Sequence, residues 1–228
     1  MQFTLALIIL IIVLFGPQLW ASYVLKRYNS NIDELPGTGG ELALHLLKRF
    51  QIDGVNVEKS ERQDDHYNPE EKTIKLAENI YDGKSLTAIV VTAHEVGHAI
   101  QHKNGYRPFF LRWSLARFIL WAEKIASMLL IVFPFAAMLT HTPAVGLLML
   151  FIGICIMLLP VIFHLITLPV EWDASFRLAL PILIDGEYIP QSAIPVARKI
   201  LIAAALTYIA AALVNVLNFY RWIAILRR

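Results

Sequence analysis

The chain has 228 residues, of which 57% are hydrophobic, one cysteine and a formal net charge of +2 at pH 7. Soluble domains carry about 45–50% apolar residues, so the excess argues against a purely water-soluble domain, and the small charge argues against a basic nucleic-acid binder. The lone Cys155 excludes an intrachain disulfide and makes a cysteine-based metal site an unsupported reading.

The apolar excess comes in blocks. Residues 3–25 hold no charge, and only Thr4, Gln18 and Ser22 are clearly polar. That length suffices for one membrane span. A signal peptide would begin with basic residues and have a shorter apolar core. Met1-Gln2 supplies no such start, so a retained anchor is expected over residues 1–25.

Residues 26–112 form the main polar stretch and the expected catalytic part. Gly37-Thr38-Gly39-Gly40 reads as a turn, followed by a helix over residues 41–50 through Leu42, Leu44, Leu46 and Leu47. Residues 55–58 and 73–76 alternate apolar and polar, as strands do. Asp65-His66-Tyr67-Asn68-Pro69 between them carries turn residues. A small α+β unit is expected to lead into the next element.

That element carries His94-Glu95-Val96-Gly97-His98, an H-E-x-x-H pattern. Residues four apart on a helix share a face, so both imidazoles can bind one tetrahedral Zn²⁺. Glu95 then stands where it can take a proton from water at the metal. The lead-in from Ser85 to Ala93 is mostly apolar, so the helix is expected to be largely buried. A buried helix face with two His and a Glu calls for a partner or a metal. Gly97 costs roughly 1 kcal/mol against Ala in a helix interior and leaves room for close approach at the metal face. His102 is excluded as the third ligand, since it lies about 12 Å along the axis from His94. It is expected to close the helix with its charge at the C-terminal end of the dipole.

Three further apolar blocks follow: residues 125–139, extended by 115–122, then 143–170, then 200–220. With the first they make about four transmembrane helices, two of them within residues 113–170 and the last, with a basic tail, within 200–228. Trp20, Trp113, Trp121 and Trp222 lie near block ends, as interfacial anchors do. Lys26, Arg27, Arg112 and Arg117 place the polar part in the cytoplasm, and the uncharged Thr140-His141-Thr142 falls outside. Arg221, Arg227 and Arg228 run against this rule if the last block spans fully. Either that block bends back along the interface or the tail is an exception.

A catalytic zinc with two His needs a third protein ligand. Glu171, in the segment 171–199 after the third block, returns to the same side as His94 and His98. It fits best by position. The competing reading is that Glu171 and Asp173 only mark the membrane exit. Asp173 is otherwise a candidate to orient a ligating His from behind. His66 and Tyr67 are candidates for oxyanion stabilisation, against the plainer reading of a turn held by Asp65 with Tyr67 packed on the core.

Taken together, His94 to His102, Asp65-His66-Tyr67-Asn68-Pro69 and Val170-Glu171-Trp172-Asp173-Ala174-Ser175 resemble the YugP-like family of bacterial neutral zinc metallopeptidases of the membrane. The resemblance covers most of the chain. It implies that Glu171 is the third zinc ligand, and its site logic is similar to that of the HtpX and CAAX prenyl protease families. Trp172 stands where the family usually has Phe, and Asn68 where Asp is common. Neither departure touches a proposed ligand. The expected protein is a mainly α membrane metalloendopeptidase of the bacterial cell membrane, with Zn²⁺ as cofactor and membrane-associated proteins or peptides as substrate. The lipid bilayer is its setting, and other membrane proteins or a second copy are open as partners. The alternative is a non-catalytic zinc-binding scaffold or quality-control partner, which would need no base at position 95. A channel or transporter is disfavoured, since the third and fourth blocks carry no acidic or basic residue mid-span beyond His164, with Asn215 and Asn218 the other polar groups.

Overall fold

The fold, taken from a computed structural model, is described for residues 2–32, 35–140 and 143–226. Four long helices carry the apolar blocks: α1 (Gln2–Arg27), and further along α5 (Arg107–Thr140), α6 (Pro143–Trp172) and α8 (Ile194–Leu226). Between α1 and α5 come α2 (Gly39–Arg49), β1 (Asn56–Lys59), β2 (His66–Asn68), β3 (Thr73–Leu76), α3 (Glu78–Tyr81) and α4 (Leu86–Lys103). A π-helical segment (Asp173–Ala179) continues α6 and passes into α7 (Leu180–Asp185). The protein is thus mainly helical with one small sheet.

Helix α4 is the hub. Nearly all of its side chains from Leu86 to Gln101 are buried. An all-round buried helix needs neighbours on every side, and α2, the π segment, α8 and the sheet supply them. Its start is fixed by Ser85, whose hydroxyl accepts the Ala88 N–H at 3.0 Å, and by Thr87, whose hydroxyl donates to the Leu25 carbonyl at 2.9 Å. The second bond ties α4 to the end of α1. Its other end is held by Lys103, which donates to the carbonyls of Phe50 and Gln51 at 2.7 and 2.9 Å.

Helix α2 begins at Gly39, two residues earlier than the leucine pattern indicates, because Thr38 caps it. The Thr38 hydroxyl accepts the Glu41 N–H while the Glu41 carboxylate accepts the Thr38 N–H, a reciprocal pair that satisfies two otherwise orphan donors. Gly39 permits this entry: a Cβ there would lie 2.2 Å from the Ile80 carbonyl oxygen.

The sheet has the order β1-β3-β2. The two expected strands pair in parallel, Val57 opposite Ile74. Residues 66–68, expected within a turn, form a third strand antiparallel to β3 with Tyr67 opposite Ile74. The turn lies just beyond, where the Asn68 carboxamide oxygen accepts the N–H groups of Glu70 and Glu71. Pairing with β3 and burial of Tyr67 override the turn propensity of the flanking residues. Asp65 serves as an anchor before this strand, accepting the Ala77 N–H at 2.8 Å. Burial pushes its carboxyl up to about 6, against the Ala77 bond and with help from the nearby Glu95 charge.

The long helices pack in series, α1 on α8, α8 on α6, and α6 on α5. Their outer faces carry large exposed apolar groups: Phe15 and Leu19 on α1, Phe118 and Met128 on α5, Phe151 and Leu165 on α6, Ile209 and Leu213 on α8. Among the described residues one segment, Gln191–Val214, meets the length, hydropathy and charge of a membrane span, with mean hydropathy 1.7. Parts of α1, α5, α6 and α8 have side chains outside those described, as do His141, Thr142, Arg227 and Arg228 altogether.

Candidate metal centre

Helix α4 places His94 and His98 one turn apart on the face that meets the end of α6. Their ring centroids are 4.8 Å apart. Glu171 sits in the last turn of α6, 2% exposed, and points between them. His94 Nε2 lies 3.1 Å from Glu171 Oε2, and His98 Nε2 lies 3.6 Å from Glu171 Oε1. One ligand atom from each of the three residues falls within 4.8 Å of the others.

These spacings suit one small dication. Bonds of about 2.0–2.2 Å to tetrahedral zinc place neighbouring ligand atoms roughly 3.3 Å apart. The donor set, two imidazoles and a carboxylate, is that of a catalytic zinc with one open position.

The far side of each ring supports the same orientation. His98 Nδ1 faces the Gln101 carboxamide oxygen at 3.0 Å. As Nδ1–H donates there, the Nε2 lone pair is left toward Glu171. His94 Nδ1 meets the Ser175 hydroxyl at 3.1 Å. Gln101 is itself fixed, donating to the Val170 carbonyl and to Asp173 Oδ2, both at 2.9 Å. Asp173 therefore reaches His98 through Gln101 and touches neither imidazole in the contacts described.

The π segment makes these contacts possible. Its wider turn presents Asp173 and Ser175 to α4 directly after Glu171. A π turn inside a helix is a recurrent device at functional sites. Gly97 permits the approach, since a Cβ there would lie 3.0 Å from the Ala174 carbonyl oxygen.

Burial alone would push the Glu171 carboxyl up, but the adjacent His98 and His94 outweigh it and hold the group well below the usual carboxylate range. Arg112 on α5 adds a short bond, Nη1 to Glu171 Oε1 at 2.6 Å. Burial opposes charge on His94, and Glu171 more than restores it, so the imidazole is raised above its ordinary value. The pocket is built around an anion that requires positive charge beside it.

Glu95 projects from α4 into a cleft of about 210 Å³. It is lined by Asp65, His66, Tyr67 and Pro69 in and around β2, His98 of α4, Phe109, Arg112, Trp113 and Ala116 of α5, Phe163 of α6 and Tyr208 of α8. His66 is half-exposed and lies 3.5 Å from Asp64. The Tyr67 hydroxyl is taken by His102 Nδ1 at 2.7 Å. Burial pushes the Tyr67 phenol up to about 12.

His102 stacks on Phe109, and burial lowers its basicity. It lies in the last turn, as expected, but burial opposes the expected charge and the ring packs against Phe109; Asn104 ends the helix.

A model of the family described as "Putative neutral zinc metallopeptidase" matches residues 3–227. The chain belongs to this family. It is also 36% identical over 224 residues, 96% of this chain and 95% of the relative, to the "Putative membrane protease YugP" of Bacillus subtilis (strain 168). No solved structure matches. Membership in a zinc peptidase family and the grouping of His94, His98 and Glu171 agree on zinc.

Four contributors were not singled out from sequence: Gln101, Arg112, Ser175 and Tyr208, the last of which also interacts with Glu171. Gln101 carried a signal, a carboxamide three residues after His98 on an apolar helix. Arg112 read as a topology charge, and Tyr208 lies in an apolar block with nothing to mark it.

Gln101→Leu tests the support of His98. It removes the acceptor for Nδ1 and the links to Val170 at the end of α6 and to Asp173 in the π segment. Zinc affinity, measured by competition with a chromophoric chelator, should fall about 10–100-fold. An unchanged affinity would show that Gln101 only packs.

Proposed function

We propose that the protein is a membrane-embedded zinc metalloendopeptidase that hydrolyses peptide bonds in proteins at or near the bilayer. The observation that carries this is the convergence of His94, His98 and Glu171 beside a cleft that also receives Glu95. His94 and His98 through Nε2, and Glu171 through its carboxylate, would hold the ion. When bound, Zn²⁺ supplies Lewis-acid polarisation of the scissile carbonyl and lowers the pKa of water from 15.7 toward about 7.

Glu95 takes the proton of the attacking water and passes it to the leaving amine. Its place next to His94 in sequence, with its side chain in the same cleft as His98, suits that role. Arg112 fixes one oxygen of Glu171. Of the two oxyanion candidates, His66 lines the cleft beside Asp64, while Tyr67 is engaged with His102. A structural zinc site would close with four protein ligands, and a Glu turned into an open cleft serves no purpose there.

The bilayer reading rests on the four long helices. Each exceeds the roughly 20 residues that cross a membrane, and each turns large apolar groups outward. Contiguous apolar surface of that extent is rare on soluble proteins. With α1 entering from outside, α5 and α6 crossing twice and α8 crossing last, the metal centre lies on the cytoplasmic side. Helix α8 is unbroken from Ile194 to Leu226, which favours a full crossing over a bend at its end.

Glu95→Gln keeps the shape and removes the base. The variant should bind zinc as the wild type does and lose about 10²–10⁴-fold in turnover. Near-normal cleavage would contradict the mechanism.

Sidedness is tested with Cys155→Ser and single cysteines at Asn104 and Thr142. A membrane-impermeant thiol reagent on intact cells should label position 142 and spare 104. The reverse would place the site outside, and labelling of both would refute four spans.

A further inference from the structure

The lining of the cleft beside Glu95 is mixed. Asp65 and His66, before and within β2, are polar. Alongside Phe109 and the Glu171-paired Arg112, α5 and α6 contribute three more apolar residues as an apolar wall, Trp113, Ala116 and Phe163. None of these three contacts the metal ligands in the interactions described, so the metal centre does not account for them.

The apolar wall is held in position. The Arg117 guanidinium lies 4.1 Å from the centre of the Trp113 ring, and Arg117 also reaches Glu70 at 3.4 Å, in the turn between β2 and β3. The indole is thus braced between α5 and the sheet. Ala116, with its single methyl group, is the smallest of the lining residues. The cleft holds about 210 Å³. An engineered apolar cavity of about 150 Å³ accommodates a benzene ring, so a side chain of that size fits.

We propose that Trp113, Ala116 and Phe163 form the subsite that selects a large apolar or aromatic side chain next to the scissile bond. The proposal rests on the peptidase reading above. An acidic side chain entering here would lose hydration and find no free counter-charge, because Arg112 is already paired with Glu171. A small one would leave the wall uncovered. The wall also belongs to the helices whose outer faces are apolar. The preferred substrate is therefore a chain cut where an apolar segment gives way to a polar one, with the apolar residue toward α5 and α6.

The test uses zinc-loaded, full-length protein in detergent and a set of quenched fluorescent peptides. They share one sequence and differ in the residue on either side of the scissile bond: Phe, Leu, Ala, Asp or Lys. At one of the two positions, kcat/KM for Phe or Leu should exceed that for Ala, Asp or Lys by about 10-fold or more. Ala116→Leu fills the space and should lower the Phe-to-Ala ratio at that position about tenfold. Phe163→Ala widens it and should move the optimum toward Trp. Zinc content equal to wild type verifies that each variant has folded around its centre. Hydrolysis with a flat profile, or a profile that neither variant changes, overturns the subsite and leaves the peptidase reading standing. No hydrolysis of these peptides or of casein by the zinc-loaded wild type overturns both.

Discussion

A carboxylate buried between two imidazoles is the constraint on which the rest of the molecule depends. Glu171 is 2% exposed. Isolated in an apolar interior, such a charge costs several kcal/mol after relaxation. It is tolerated because His94, His98 and Arg112 surround it. Those three come from α4 and α5, while Glu171 comes from the end of α6. The pairing therefore fixes how the two halves of the chain meet. The π segment, Gly97 and the Gln101 bridge all serve this contact, either by closing the distance or by holding a ring in the orientation that faces it.

Much of this was legible in the sequence. The spacing of His94 and His98, the buried character of α4 and the need for a third ligand follow from elementary helix geometry. Glu171 came from position and resemblance together, and the fold brings it to the two imidazoles. What was not legible depends on tertiary contacts. The π turn after Trp172 has no propensity signal. Strand β2 was hidden by Asn68 and Pro69, whose turn chemistry acts at the strand's end and just past it, and by Asp65, which anchors the chain before it. Arg112 appeared as one more basic residue near a membrane boundary, since only the fold reveals the carboxylate it meets. His102 repeated the ligand chemistry of the motif, yet its place on the helix directs it to Tyr67 and Phe109 instead.

The cleft joins two chemical environments. Polar groups in and before β2, apolar groups of α5 and α6, and Glu95 line one cleft. The candidate ligands His98 and Glu171 are buried where α4 meets the end of α6, and electrostatic interactions are strong in such a place.

The account turns on Glu171 as the third ligand. The most direct measurement is the zinc stoichiometry of purified wild type and Glu171→Ala, by elemental analysis after equilibration against a buffered zinc concentration. The wild type should retain one zinc per chain and Glu171→Ala should lose most of it, with a circular dichroism spectrum matching the wild type in helix content. A Glu171→Ala protein that keeps one zinc per chain and still hydrolyses peptides would contradict the account.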